Sequence, residues 1–112
     1  MRFILTSFAL FFFSLNVFSQ YSIQGKLLDK ESDGPIEMGT VSLLSARDSS
    51  LVSGAVSDYA GRYSFSRVAK GDYLISYKYL GYKEVIVQLK VENKSQILKN
   101  IYLEEEVTNL DE

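Results

Sequence analysis

The sequence of 112 residues contains no cysteine, no histidine and no tryptophan. Without cysteine the chain cannot form a disulfide, so its folded state must depend on its hydrophobic core. Zinc and copper sites draw their ligands mainly from histidine and cysteine, and a serine or cysteine nucleophile is commonly activated by histidine. The sequence therefore predicts a protein that is not an enzyme and has no catalytic, metal or cofactor site.

The charge of the chain is distributed unevenly. Between Gln20 and Leu103 there are eleven basic and nine acidic residues, whereas Glu104–Glu112 contains five acids and no base. The basic residues are scattered singly rather than gathered into a patch, so nucleic acid is not an expected partner. We interpret residues 20–103 as one domain and residues 104–112 as an acidic tail or linker.

The first nineteen residues have the three-part pattern of a secretory signal peptide. Arg2 precedes the apolar run Phe3–Phe13, and Val17 and Ser19 are suitable for cleavage before Gln20. The alternative is a retained membrane anchor, but the apolar run is shorter than the ~20 residues that a spanning helix needs. We expect an exported protein.

Short alternating segments separated by turn residues follow along the rest of the chain. Several short strands that recur roughly every 8–12 residues are typical of an all-β sandwich or barrel. The predicted strands are Tyr21–Leu28, Gly39–Ala46, Leu51–Ser57, Arg62–Val68, Tyr73–Tyr79, Lys83–Val91 and Ile97–Leu103.

The stretch Asp58–Tyr82 gives the clearest strand–turn–strand pattern. Alternation at period two places aromatic and aliphatic side chains on one face of each strand. Gly61 and Asp58 suit the turn that precedes the first of these strands, since glycine adopts positive φ and aspartate bonds its own backbone. The predicted core residues are Tyr63, Phe65, Tyr73, Ile75, Val85, Val87 and Leu89.

Several polar motifs could hold a ligand, but each has a simpler interpretation. Asp29–Gly34 imitates the start of a calcium loop, yet position twelve is Thr40 rather than the required glutamate. Asp58–Gly61 could hold a cation, although a hairpin turn explains the same residues. Asn93–Ser95 fits the pattern of a glycosylation acceptor, but a polar loop explains the same residues. Glu104–Glu106 reads as a solvated linker.

One group of aromatic residues has both a binding and a structural interpretation: Tyr77, Tyr79 and Tyr82. Exposed in a row, they could stack on sugar rings or anchor a partner protein. Buried, they belong to the core, with their hydroxyls at its rim. We favour the core because these residues lie in or beside the most regular predicted strand.

Three linked motifs resemble those of the carboxypeptidase regulatory-like domain. Gly25–Asp29 with Gly34–Ile36 resembles its opening signature, Ser57–Phe65 its central turn, and Val68–Leu74 with Gly81–Lys83 its third motif. The resemblance implies a transthyretin-like (prealbumin-like) sandwich of seven antiparallel strands in Greek-key order. One departure is Ile36–Val41, which lacks the family's second proline.

A narrower resemblance concerns the subgroup that precedes TonB-dependent outer-membrane receptors. Ser45–Val52 and the ending Ile101–Glu104 with Leu110–Glu112 are similar to that subgroup. This implies a non-catalytic accessory module in the periplasm or at the periplasmic face of the outer membrane. The implied partner is another envelope protein, or a receptor plug and barrel that follows in the same chain. The membrane would be involved only through that association, and no small-molecule ligand is indicated.

A carbohydrate-binding or adhesion module is the alternative function, using the aromatic strand or the loops. An enzyme is disfavoured, since the sequence supplies no obvious base poised near neutral pH.

Overall fold

The computed structural model describes residues 19–107. The predicted signal peptide, apart from Ser19, and the last five residues of the predicted tail lie outside this range. Among the described residues no helix is long and apolar enough to cross a membrane.

The chain forms short β-strands at nearly the predicted positions. Period-two alternation is visible in their burial; in Arg62–Ala69, for example, Tyr63 and Phe65 are buried while Arg62, Ser64 and Ser66 are exposed. The strands are β1 Gln20–Asp29, β2 Thr40–Ser45, β3 Leu51–Val56, β4 Arg62–Ala69, β5 Gly71–Lys78, β6 Val85–Val91, β7 Gln96–Ile97 and β8 Ile101–Leu103.

Two four-stranded sheets make the fold. In the first sheet β1 lies between β4 on one side and β7 and β8 on the other; the second has the order β3-β2-β5-β6. The chain passes between the sheets at the β1–β2, β3–β4, β4–β5 and β6–β7 connections. The predicted all-β sandwich is confirmed.

The strand count and the strand directions differ from the prediction. The segment predicted as one strand, Ile97–Leu103, is divided into β7 and β8 by residues 98–100. Leu98 packs against the core while Ile97 is exposed, so the inward positions shift by one residue before Ile101 and Leu103, which also face the core. Both short strands run parallel to β1, whereas β4 on its other side runs antiparallel to it. The first sheet is therefore mixed rather than antiparallel.

The core lies between the two sheets. Of the predicted core residues, Tyr63, Phe65, Ile75 and Leu89 are buried. The other three, Tyr73, Val85 and Val87, are partly buried and pack against the cluster. The list of predicted core residues omitted the following fully buried hydrophobic residues: Ile23, Leu27, Val41, Leu43, Val91 and Leu103.

The turn between β3 and β4 links the two layers. The Asp58 carboxylate accepts hydrogen bonds from the amides of Ala60 and Arg62, both at 2.9 Å. These bonds hold the pKa of Asp58 below its usual value. Gly61 has φ of +78° and its carbonyl accepts from the Leu27 amide at 2.7 Å. Asp58–Gly61 is thus a tight turn explained by its own hydrogen bonds, as the sequence indicated, but it is not a hairpin turn, because β3 and β4 belong to different sheets.

Candidate functional site

The three tyrosines singled out in the sequence occupy different environments. Tyr77 lies on β5 between the sheets with no exposed surface. Tyr79 and Tyr82 are half-buried at the end of the sandwich. The core interpretation is thus confirmed for Tyr77 and in part for Tyr79 and Tyr82, which pack against the core cluster while keeping some exposed surface.

Tyr77 is paired with Tyr63 across the core. The two hydroxyl oxygens are 2.6 Å apart, and the rings meet edge to face with centroids 5.4 Å apart. The Tyr63 phenol lies over Gly25, where a Cβ atom would overlap its hydroxyl. Burial raises the pKa of both phenols, and for Tyr77 the neighbouring phenol raises it further. Both groups stay neutral near pH 7 and serve as structure rather than as acid or base.

The raised pKa values predict a specific alkaline transition. A group whose pKa is higher in the folded state contributes stability below its unfolded pKa, about 10 for tyrosine, and loses it as the pH rises further. We therefore expect Tyr63 and Tyr77 to ionise only as the fold is lost. Phenolate absorbance and near-ultraviolet circular dichroism should be followed together against pH. The Tyr77→Phe variant is the control: it has one buried phenol fewer, so the increase in phenolate absorbance on unfolding should be smaller. Ionisation of all eight tyrosines with the folded signal intact would contradict this.

We define the tyrosine end as the surface formed by Tyr79, Leu80, Gly81 and Tyr82. The rings of Tyr79 and Tyr82 lie 5.3 Å apart and tilted by 55°. Between them the chain turns tightly: the Tyr82 amide donates to the Tyr79 carbonyl and Gly81 has φ of +86°. The turn leaves the Leu80 side chain 95% exposed. The result is an apolar and aromatic projection at one end of the domain.

A shallow groove of about 700 Å³ runs beside the tyrosine end. Its wall contains both apolar and charged side chains. Beside it, burial and the neighbouring carboxylates of Asp29 and Glu105 raise the pKa of Tyr82. The lining residues outside the tyrosine end are Met38, Thr40, Lys78, Lys83, Glu84 and Glu106. This mixture suits a contact surface better than an enclosed small-molecule site.

The residues after β8 are docked against this end. The Lys83 amide donates to the Glu104 carbonyl at 2.9 Å, and the Glu106 amide donates to the Gly81 carbonyl at 2.8 Å. The Glu104 carboxylate lies 3.5 Å from Lys30 and 3.6 Å from Lys83, which lower its pKa. The interpretation of Glu104–Glu106 as a solvated linker is wrong for the backbone, which is held in place, although the side chains remain largely exposed.

The other acidic motifs are engaged in their own turns. Asp29 accepts from the Glu31 amide at 3.3 Å and from the Ser32 hydroxyl at 3.1 Å. Within residues 19–107 no three acidic side chains are grouped closely enough to hold a metal ion. Ser95 of the Asn93–Ser95 loop accepts a hydrogen bond from the Ser22 amide, so that loop is tied to β1.

Ser57 is a structural residue that the sequence analysis missed. It is 2% exposed; its hydroxyl donates to the Ile36 carbonyl at 2.7 Å and accepts from the Gly39 amide at 2.8 Å. The sequence signals were its position directly before Asp58 and its place at the start of the Ser57–Phe65 motif, and neither indicated these hydrogen bonds. The bonds join the β1–β2 connection to the end of β3.

Ser57→Ala is expected to lower the free energy of unfolding by about 1–3 kcal/mol, because it leaves two buried backbone groups without a partner. Urea unfolding measures the change. Ser64→Ala, on the exposed face of β4, is the control and should change it by less than about 0.5 kcal/mol. Equal effects of the two substitutions would contradict the assigned role of Ser57.

The two packed sheets, with a buried phenol pair between them, define a two-layer β-sandwich domain. Residues 23–112 match the family model described as the CarboxypepD_reg-like domain. The chain therefore belongs to the carboxypeptidase regulatory-like domain family, as the sequence motifs indicated. No curated protein sequence matches closely enough to count as a relative.

Solved structures confirm the fold. The Bacillus anthracis TIE protein is 13% identical with a TM-score of 0.64, covering 77% of this chain and 17% of its own. Shaft pilin SpaA from Lactobacillus rhamnosus GG is 13% identical with a TM-score of 0.61, over 80% of this chain and 49% of its own. The 5-hydroxyisourate hydrolase of Klebsiella pneumoniae is 19% identical with a TM-score of 0.57, covering 73% of this chain and 90% of its own. At these identities the likeness shows the fold alone.

Proposed function

We propose that this chain is a non-catalytic accessory module of the cell envelope that acts by protein contact at its tyrosine end. The more specific proposal is that the module is the N-terminal domain of a TonB-dependent outer-membrane receptor, or a free-standing relative of such a domain. The observation that carries the proposal is the exposure of Leu80 between Tyr79 and Tyr82, next to the docked segment Glu104–Glu106. Tyrosine is enriched among the residues that contribute most to protein interfaces, and the partly exposed Tyr79 and Tyr82 flank the accessible Leu80.

The absence of a reactive group supports a contact role. The buried phenols are held neutral, and Asp58 is bonded to the backbone of its own turn. The chain has no histidine or cysteine that could act as a base or nucleophile near neutral pH. One structural neighbour is a hydrolase, but a likeness of fold at 19% identity carries no activity with it.

Photo-cross-linking in the cell tests the proposal. A photoreactive amino acid at position 80 should give a discrete cross-link to an outer-membrane receptor component. The same probe at Ile97, which is 84% exposed on β7, is the control and should not. Equal capture at both positions, or none at position 80, would refute a specific contact there.

The intact mass of the exported protein should also show the loss of residues 1–19; retention of those residues would instead support a membrane anchor.

A carbohydrate-binding or adhesion module is the second candidate, and the tilted pair Tyr79–Tyr82 favours it, since aromatic faces can stack on sugar rings. Glycan-array screening distinguishes the two functions. Sugar binding by the natural protein that is lost in a Tyr79→Ala, Tyr82→Ala variant of unchanged stability would favour the carbohydrate function. Absence of binding to any glycan would favour the protein-contact function.

A further inference from the structure

The edge strand β3 differs from the other sheet edges in the described part of the chain. An open strand edge invites pairing with another chain, and soluble proteins usually protect it with charges, proline, bulges or short length. β4 carries Arg62 and Arg67, β6 carries Lys90, and β7 and β8 have only two and three residues. β3, Leu51–Val56, has six residues and neither a charge nor a proline.

The outer side of β3 is apolar and accessible. β3 pairs only with β2 among the described strands. Val52 and Val56 are 50% and 56% exposed, and a Cβ atom at Gly54 would meet nothing within 4 Å. A bulge at Val52, where the pairing with β2 shifts between Leu43 and Leu44, is confined to the start of the strand, and residues 53–56 pair regularly with β2. Backbone and side chains on this edge are therefore free for a further strand.

The sequence of the strand indicates what that further strand is. Val52–Val56 reads Val-Ser-Gly-Ala-Val, which is nearly the same in size and polarity in either direction. A two-fold interface requires such a self-complementary surface. Antiparallel pairing with Gly54 on the two-fold axis places Val52 of each copy opposite Val56 of the other, and Ser53 opposite Ala55. No like charges meet in this register, whereas like charges directly opposite each other destabilise a strand pair.

We infer that two copies of this chain associate through antiparallel pairing of their β3 strands. The pairing joins the two second sheets, each of four strands, into one continuous sheet across the dimer. The contact is a single short strand edge, so it falls in the size range of weak or transient interfaces. The dimer should accordingly form at high protein concentration, with a dissociation constant between about 1 μM and 1 mM. This inference does not depend on the proposed function of the tyrosine end.

Sedimentation equilibrium of the purified protein, at concentrations up to about 1 mM, tests the inference. The natural protein should show a monomer–dimer equilibrium. Val56→Lys should weaken association at least tenfold, since it places a cation at the edge of each copy. Ile86→Lys on β6 is the matched control, because Ile86 is also 56% exposed, and it should leave the equilibrium unchanged. A natural protein that stays monomeric throughout, or equal weakening by both variants, would overturn the inference.

A cysteine cross-link provides an independent readout that does not rely on loss of association. The chain has no cysteine, so a single one introduced by Gly54→Cys lies on the proposed axis without competing thiols. Under mild oxidation it should form a disulfide-linked dimer much faster than Ile86→Cys does. Equal rates for the two variants would show that the β3 edges do not meet, and would point to a different partner strand or to none. Urea unfolding of each variant verifies that the fold is kept.

Discussion

Gly61→Ala is expected to lower the free energy of unfolding by about 2–4 kcal/mol, combining the cost of a left-handed backbone for an alanine with weakening of a buried hydrogen bond. Gly61 has φ of +78°, and a Cβ atom there would overlap the Leu27 carbonyl oxygen. The Gly61 carbonyl also accepts the Leu27 amide. Since a domain is stable by only about 5–15 kcal/mol, this substitution should remove a large share of the total.

Gly54→Ala is the matched control for this prediction. Gly54 lies within β3, does not have a positive φ, and has open space where a Cβ would stand. Alanine there should be neutral or stabilising by up to about 1 kcal/mol, because it restricts the unfolded chain. Urea unfolding of the two variants measures the difference. Similar effects at positions 54 and 61 would contradict the assigned geometry of the turn.

Tyr77→Ala is expected to destabilise the fold by about 3–5 kcal/mol, the usual cost of emptying a large buried aromatic site. The side chain has no exposed surface, and its removal also strands the Tyr63 hydroxyl. Tyr77→Phe should cost about 1–3 kcal/mol, since it removes only the hydrogen-bond partner. The double variant Tyr63→Phe, Tyr77→Phe should recover part of that loss, because neither hydroxyl then remains unpaired.

Tyr79→Ala should cost much less than Tyr77→Ala, although the two residues lie two apart in one alternating run. Tyr79 is half-buried at the end of the sandwich and contacts Tyr82. Chemical denaturation of both variants measures the contrast. If Tyr79→Ala destabilised the protein as much as Tyr77→Ala, the tyrosine end would be part of the core and unsuited to binding.

Local sequence patterns predicted the strands of this protein well because strand formation here follows period-two alternation. Arg62–Ala69 and Gly71–Lys78 match their predicted ranges within two residues, and the Asp58–Gly61 turn follows from the chemistry of aspartate and glycine. The division into β7 and β8 depends instead on which strand lies alongside. Their parallel pairing with β1 involves residues more than seventy positions apart, and no local pattern contains that information.

The same limit explains what the sequence could not predict about the candidate site. Alternation places Tyr77 and Tyr79 on one face, but it does not indicate that Tyr77 is fully covered while Tyr79 is only half-buried. The docking of Glu104–Glu106 on Gly81–Lys83 is another contact distant in sequence. An acidic run ordinarily indicates a solvated segment, and the backbone hydrogen bonds that hold this one are independent of its side chains.

The central claim is that this folded sandwich acts through contact at the tyrosine end rather than through chemistry. The most direct test is a Tyr79→Ala, Leu80→Ser, Tyr82→Ala variant carried by the full chain in its own cells. We predict that the variant is exported and folded like the natural protein but no longer recovers its envelope partner by co-purification. A folded, exported variant that still recovers the partner in full would contradict the claim.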